Sequence, residues 1–296
     1  MKIKEFFLSV GTVFMLVAGL AFIVLWEKAE VAETFAVGDA VAAAGPNENR
    51  DVTVPSIRAG VYRKKMRSYR PENGDRSFEA VQQDVVRFFH SFDERQYIKA
   101  HGLPEGTYKF FLKMLTTLSA NPPLVSGETK DVARLRLNLT HFERAIGNAN
   151  IGLIKEILAN EKEILEPSAE LLYEWISKGI EYKNTEIKTS DKVLYDYAAF
   201  FLTTLSGKSY LWQRDAKTRI IVTYYAILTI DRANRENINR HNVDILPSIS
   251  LLKEDLLNYR GLNRRNEYID RLKALEEEYT AENGRGREVD NRQVPK

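Results

Sequence analysis

The chain has 296 residues, 44% of them hydrophobic and 28% charged, with a formal net charge of +2. That composition is ordinary for a globular protein and excludes a nucleic-acid or polyanion binder acting through bulk charge. The absence of cysteine excludes disulfides, thiolate metal sites, a cysteine nucleophile and an acylated lipoprotein anchor.

Residues 1–5 contain Lys2 and Lys4 and read as a short cytoplasmic N-terminus. Phe6 to Trp26, FFLSVGTVFMLVAGLAFIVLW, is a run of 21 residues without a charge. As an α-helix it would be about 31 Å long, against a hydrocarbon thickness of about 30 Å. A cleaved signal segment has an apolar core of only about 7–15 residues. Here Glu27, Lys28 and Glu30 follow where a small-residue cleavage pattern belongs. The run is therefore predicted as an uncleaved signal-anchor that crosses the membrane once. Lys2 and Lys4 precede it, whereas Lys28 is the one cation close behind it, beside Glu27, Glu30, Glu33 and Asp39. By the positive-inside rule the N-terminus stays in the cytoplasm and the C-terminal body is exported, to the periplasm or the extracellular side.

Residues 27–76 read as a flexible stalk. AVGDAVAAAGPNENR is small, polar and broken by Gly45 and Pro46, with too few large apolar residues to fold alone. From Arg50 to Arg76 eight cations face three anions, a net of +5. Its densest part, Arg63, Lys64, Lys65, Arg67 and Arg70, is a candidate site for an anionic lipid or polymer, weighed against a plain solvated linker.

An α-helical body is predicted over 77–282. Phe78, Val81, Val85, Phe88 and Phe92 follow one another at helical spacing, with Ser77 placed to cap the N-terminus. Gly102 and Pro104 end this stretch, and Asn121-Pro122-Pro123 ends a second helix from about Glu105 to Ser119. Further helices are expected near Asp131–Ile146, Ile151–Leu165, Ser168–Tyr182, Asp191–Leu205, Tyr210–Asn234, Ser248–Tyr259 and Asn266–Glu282. Ser168 and Ser248 each follow a proline and are candidate caps. Ile220–Ile230, IIVTYYAILTI, suits either a buried strand or a buried helix. No partner strand with alternating pattern accompanies it, so a central helix is predicted. Residues 283–296 form a polar tail that composition assigns to disorder.

An internal echo suggests a helical duplication. Leu115-Thr-Thr-Leu-Ser119, preceded by Phe110-Phe111, recurs as Leu202-Thr-Thr-Leu-Ser206, preceded by Phe200-Phe201. Glu143-Arg-Ala145 and Asp231-Arg-Ala233 follow at similar spacing, and Pro167 and Pro247 open similar segments. The alternative is coincidence between leucine-rich aromatic helices. The fold class is thus all-α: a single transmembrane helix followed by a multi-helix domain with a helical-repeat character.

Signatures of chemistry are sparse. Gly207-Lys208-Ser209 resembles the end of a phosphate loop, but the glycine needed five positions earlier is Leu202. Gly207 reads instead as a helix C-cap. His90, His101, His141 and His241 lack metal-ligand spacing, and no cofactor or metal is expected. Glu174, between Tyr173 and Trp175, is the one carboxylate in an aromatic setting that merits attention as an acid catalyst, against the simpler reading of a surface glutamate. Among the aromatics, Tyr195, Tyr197, Tyr210 and Trp212 are candidate binding residues, with Tyr210 and Trp212 favoured because they follow a turn. The expected role is a membrane-anchored binding or scaffold protein, a structural or adaptor subunit of a cell-envelope complex with a protein partner. The alternatives are an exported enzyme acting on a cell-wall or surface polymer, and a carrier of a hydrophobic ligand.

Overall fold

A computed structural model describes residues 76–125, 147–212 and 214–291. The predicted membrane span over 6–26, the stalk and its basic stretch as far as residue 75, and the helix expected over 131–146 lie outside them. Among the described residues every regular element is helical, and none is long and apolar enough to cross a membrane.

The helices are α1 (Phe78–Asp93), α2 (Gln96–Ala100), α3 (Gly106–Ala120), α4 (Asn148–Asn160), a 3-10 turn (Lys162–Ile164), α5 (Leu165–Glu181), α6 (Asp191–Thr203), α7 (Leu205–Trp212), α8 (Ala216–Arg235), α9 (Leu246–Asn258) and α10 (Arg265–Asn291). Ser77 caps α1 as its spacing predicts, its hydroxyl accepting the Ala80 N–H at 3.3 Å. The predicted stripe Phe78, Val81, Val85, Phe88 and Phe92 is buried, joined by Phe89. It packs on α3 and α5. From there the core passes through α5 to α8, which also carries α6 and α9, and α9 carries α10. Ile220, Ala226, Ile227 and Ile230 of α8 are fully buried, so the ambiguous β-branched run is the central helix. With neighbours on several sides it needs no polar face, which is why its sequence shows no helical stripe.

Several boundaries differ from the sequence reading, each for a local reason. The helix expected over Ile151–Leu165 ends at Asn160, because Glu161 turns inward. There Glu161 accepts from Arg95 Nε at 3.0 Å and from the Tyr97 hydroxyl at 3.1 Å. Ser168 and Ser248 are not caps. Pro167 and Pro247 both sit inside the first turn of their helices, where a missing N–H costs nothing. Ser168 is buried and donates back to the Ile164 carbonyl, while Asp244 Oδ1 accepts the Leu246 N–H at the start of α9. Residues 283–291, assigned by composition to the tail, continue α10 to Asn291. Extending an existing helix fixes one residue per added bond and avoids a new nucleus.

The echoed Leu-Thr-Thr-Leu-Ser segments do not fold alike. Thr116 and Thr117 lie within the continuous helix α3, whereas Thr204 breaks the chain between α6 and α7. The expected single helix from Tyr210 to Asn234 is likewise interrupted. Asp215 caps a new helix by accepting the Thr218 N–H at 3.1 Å and the Thr218 hydroxyl at 2.7 Å.

Candidate functional site

The break at Thr204 builds the site. Thr204 adopts an extended conformation, its hydroxyl donates to the Phe200 carbonyl at 2.6 Å, and its Oγ1 accepts the Gly207 N–H at 3.1 Å. This folds α7 back against the end of α6. Gly207 is therefore not a C-cap but a contact point inside α7. A Cβ there would lie 2.1 Å from the Phe200 oxygen and 2.6 Å from the Phe201 Cα.

α7 and α9 both rest on α8, and a groove of about 340 Å³ opens between them. Leu202, Leu211 and Leu252 supply apolar lining, and α8 contributes Arg219 and Thr223. On α9 the lining residues Ser248, Leu251, Asp255 and Asn258 are three or four apart, so one helix face forms the wall. The floor is electrically closed. Arg219 grips Asp255 with two parallel bonds, Nε to Oδ2 and Nη2 to Oδ1, each 2.7 Å. Hydrogen bonding to that carboxylate raises the Arg219 pKa above its ordinary value.

The rim is not closed. Trp212 is 78% exposed on the α7 wall and Leu251 62% exposed on the α9 wall. Lys208 on α7 and Glu254 on α9 are also exposed and line the groove. Neither has an ionic partner among the described residues. Their neighbours on α9 do have partners, Lys253 with Glu276 and Asp255 with Arg219.

Of the candidates named from sequence, Trp212 reaches this groove. Tyr210 belongs to the same helix, and its side chain lies outside the described atoms. Tyr195 and Tyr197 belong to the core instead. The Tyr195 hydroxyl donates to Asn239 Oδ1 at 2.6 Å and accepts the His241 N–H at 2.8 Å, with the two rings stacked at 5.5 Å. The Tyr197 hydroxyl lies 3.1 Å from the Leu118 carbonyl and 3.2 Å from that of Asn121, and burial pushes its pKa well above the ordinary phenol value. Both rings tie α6 to distant chain segments. Sequence reasoning missed Lys208, Arg219, Leu251, Glu254 and Asp255. The signal for the α9 wall was the spacing of 248, 251, 255 and 258, but an exposed leucine in a leucine-rich helix reads as core.

Glu174 lies elsewhere and is engaged. Its carboxylate is 3.4 Å from Arg76 Nη1, and Asp84 bonds Nη2 of the same guanidinium. The two carboxylates converge on one cation, whereas glycan-cleaving pairs face each other across a substrate. His90 pairs with Asp93 at 3.2 Å and His101 with Glu156 at 2.7 Å, and His241 lies 3.4 Å from Asp196. Among the described residues no three histidine or acidic side chains gather in a way that could hold a metal ion. A second void, between Tyr173, Asp191 and Arg232, is about 10 Å³, room for roughly one water. Comparison with protein-family models, with curated proteins and with solved structures found no match, which leaves the groove's own chemistry as the guide to function.

Proposed function

We propose that this chain is a membrane-anchored binding or scaffold protein, a subunit of a cell-envelope complex, and that its helical domain docks a protein surface in the α7–α9 groove. Trp212 carries the reading. A tryptophan buries about 150–250 Å² when covered, which at about 25 cal/mol/Å² is about 3–5 kcal/mol for the 78% of it that stands in water. Tryptophan beside an apolar cleft, surrounded by polar groups, is the composition of a protein-binding hot spot. The exposed rim of Trp212 and Leu251 favours docking over carriage, because a ligand carrier encloses its cargo. The enzyme reading draws no support from Glu174, whose carboxylate is held by Arg76. The anchor rests on the uncharged 6–26 run, and the +5 stretch from Arg50 to Arg76 would meet anionic lipid or polymer.

The test places a photo-reactive residue at Leu251 in the full chain in its native membrane. The expected product is a cross-link to a protein, lost when Trp212 is replaced by alanine. Cross-links to lipid alone, or a protein cross-link indifferent to Trp212→Ala, would refute the docking role.

A further inference from the structure

We infer that the surface filling the groove is a second copy of this chain, packed about a two-fold axis that runs along the groove. The inference rests on the reading that the groove docks a protein. Its basis is the distribution of charge and apolar surface across the two walls. The α7 wall carries Lys208 and Trp212, and the α9 wall carries Glu254 and Leu251. Two copies placed face to face about an axis parallel to the groove bring each α7 over the other's α9. Each Lys208 and Trp212 wall then faces the wall that carries Glu254 and Leu251, twice over. A two-fold axis lying across the groove would instead set the Lys208 wall against itself and the Glu254 wall against itself. Isologous interfaces must be self-complementary, so charge selects the first axis.

The remaining features agree with that choice. The Arg219–Asp255 pair satisfies itself on the floor and biases neither axis. The groove volume of about 340 Å³ is at the low end of the roughly 300–1,000 Å³ typical of ligand pockets, a size suited to inserted side chains such as the indole. An anionic membrane surface is the poorer occupant, because Glu254 stands on the rim and the site is concave. Both exposed apolar residues and both unpaired charges of the site find partners in one arrangement, with no further molecule required.

The chain has no cysteine, so introduced thiols report without background. Two differently tagged full-length copies, one carrying Lys208→Cys and the other Glu254→Cys, are expressed together in the membrane and treated with a short bifunctional maleimide. The mixed 208–254 product is expected in large excess over 208–208 and 254–254 products. In parallel, Lys208→Glu or Glu254→Lys alone should weaken self-association about tenfold, since each reverses two symmetry-related rim pairs. The double swap Lys208→Glu with Glu254→Lys should restore it. All these positions are exposed, and an unchanged far-ultraviolet circular dichroism spectrum verifies folding. Predominant 208–208 or 254–254 products overturn the axis. Absence of any mixed product overturns the second copy. If the Leu251 photo-cross-link to another protein then persists, docking stands and self-association falls; if that cross-link is also missing, both fall.

Discussion

Gly207→Ala separates intrinsic helix propensity from tertiary contact, because the two predict opposite signs. Gly207 lies inside α7, where replacing glycine by alanine would stabilise an isolated helix by about 1 kcal/mol. In the folded chain the new methyl would sit 2.1 Å from the Phe200 oxygen and 2.6 Å from the Phe201 Cα. Both are backbone atoms, so no side-chain rotation relieves the overlap and α7 must lift off the end of α6. Overpacking of this kind costs about 1–3 kcal/mol. Lifting α7 also breaks the Thr204–Gly207 hydrogen bond, worth about 1 kcal/mol, and exposes part of Leu211. The net expectation is destabilisation by about 2–3 kcal/mol. With a urea dependence near 2 kcal/mol per molar, the unfolding midpoint followed by far-ultraviolet circular dichroism falls by about 1 M. A midpoint that rises or stays put would show that α7 does not pack as described, and the groove wall it forms would lose its basis.

Two other perturbations test the frame around the site. Glu166 is almost fully buried, and its two oxygens accept the backbone N–H groups of Asn263 and Arg264 at 2.9 Å each, at the entrance to α10. Glu166→Ala strands both donors and should cost about 2–4 kcal/mol, with faster hydrogen exchange at those two amides. Amides that stay protected in the variant would contradict this assignment. At alkaline pH the buried tyrosines govern. Burial pushes the Tyr173 hydroxyl up to about 12, and raises those of Tyr197, Tyr224, Tyr225 and Tyr268 as well. Their folded values lie above the unfolded value of about 10, so their contribution is whole below pH 10 and is lost as pH rises from there through the folded values. Tyrosinate absorbance and helix content should therefore change together in one cooperative step above pH 10. Smooth titration of every tyrosine near pH 10 with helix content intact would sink this account of the core.

The all-helical body was legible because its helices carry their own punctuation. Ser77 and Asn121-Pro122-Pro123 act within a few residues of where they stand, and the Phe78–Phe92 stripe records one buried face. The same locality explains the misreadings. Ser168 and Ser248 look like caps, but each proline before them is better placed in the first helical turn. Glu161 looks like a solvated acid of a mixed-charge helix, and nothing in the sequence singles out Glu166. They are buried only because Arg95 and the start of α10, 66 and 97 residues away in sequence, supply their hydrogen bonds.

Trp212 marks the boundary between the two kinds of information. Its place after a turn singled it out among the aromatics, although the turn read at Gly207 lies at Thr204 instead. Tyr195 and Tyr197, candidates drawn from the same aromatic pattern, are buried because the α8–α9 loop and the end of α3 pack against them. The groove itself has no local code. It exists because Thr204 and Gly207 turn α7 back onto α6 while α9 also packs on α8, so walls such as Lys208 and Ser248 are 40 residues apart in sequence. Helix type follows from short-range propensity and periodicity, which one segment contains by itself; a concave surface follows from the angle between segments, which only their mutual packing sets.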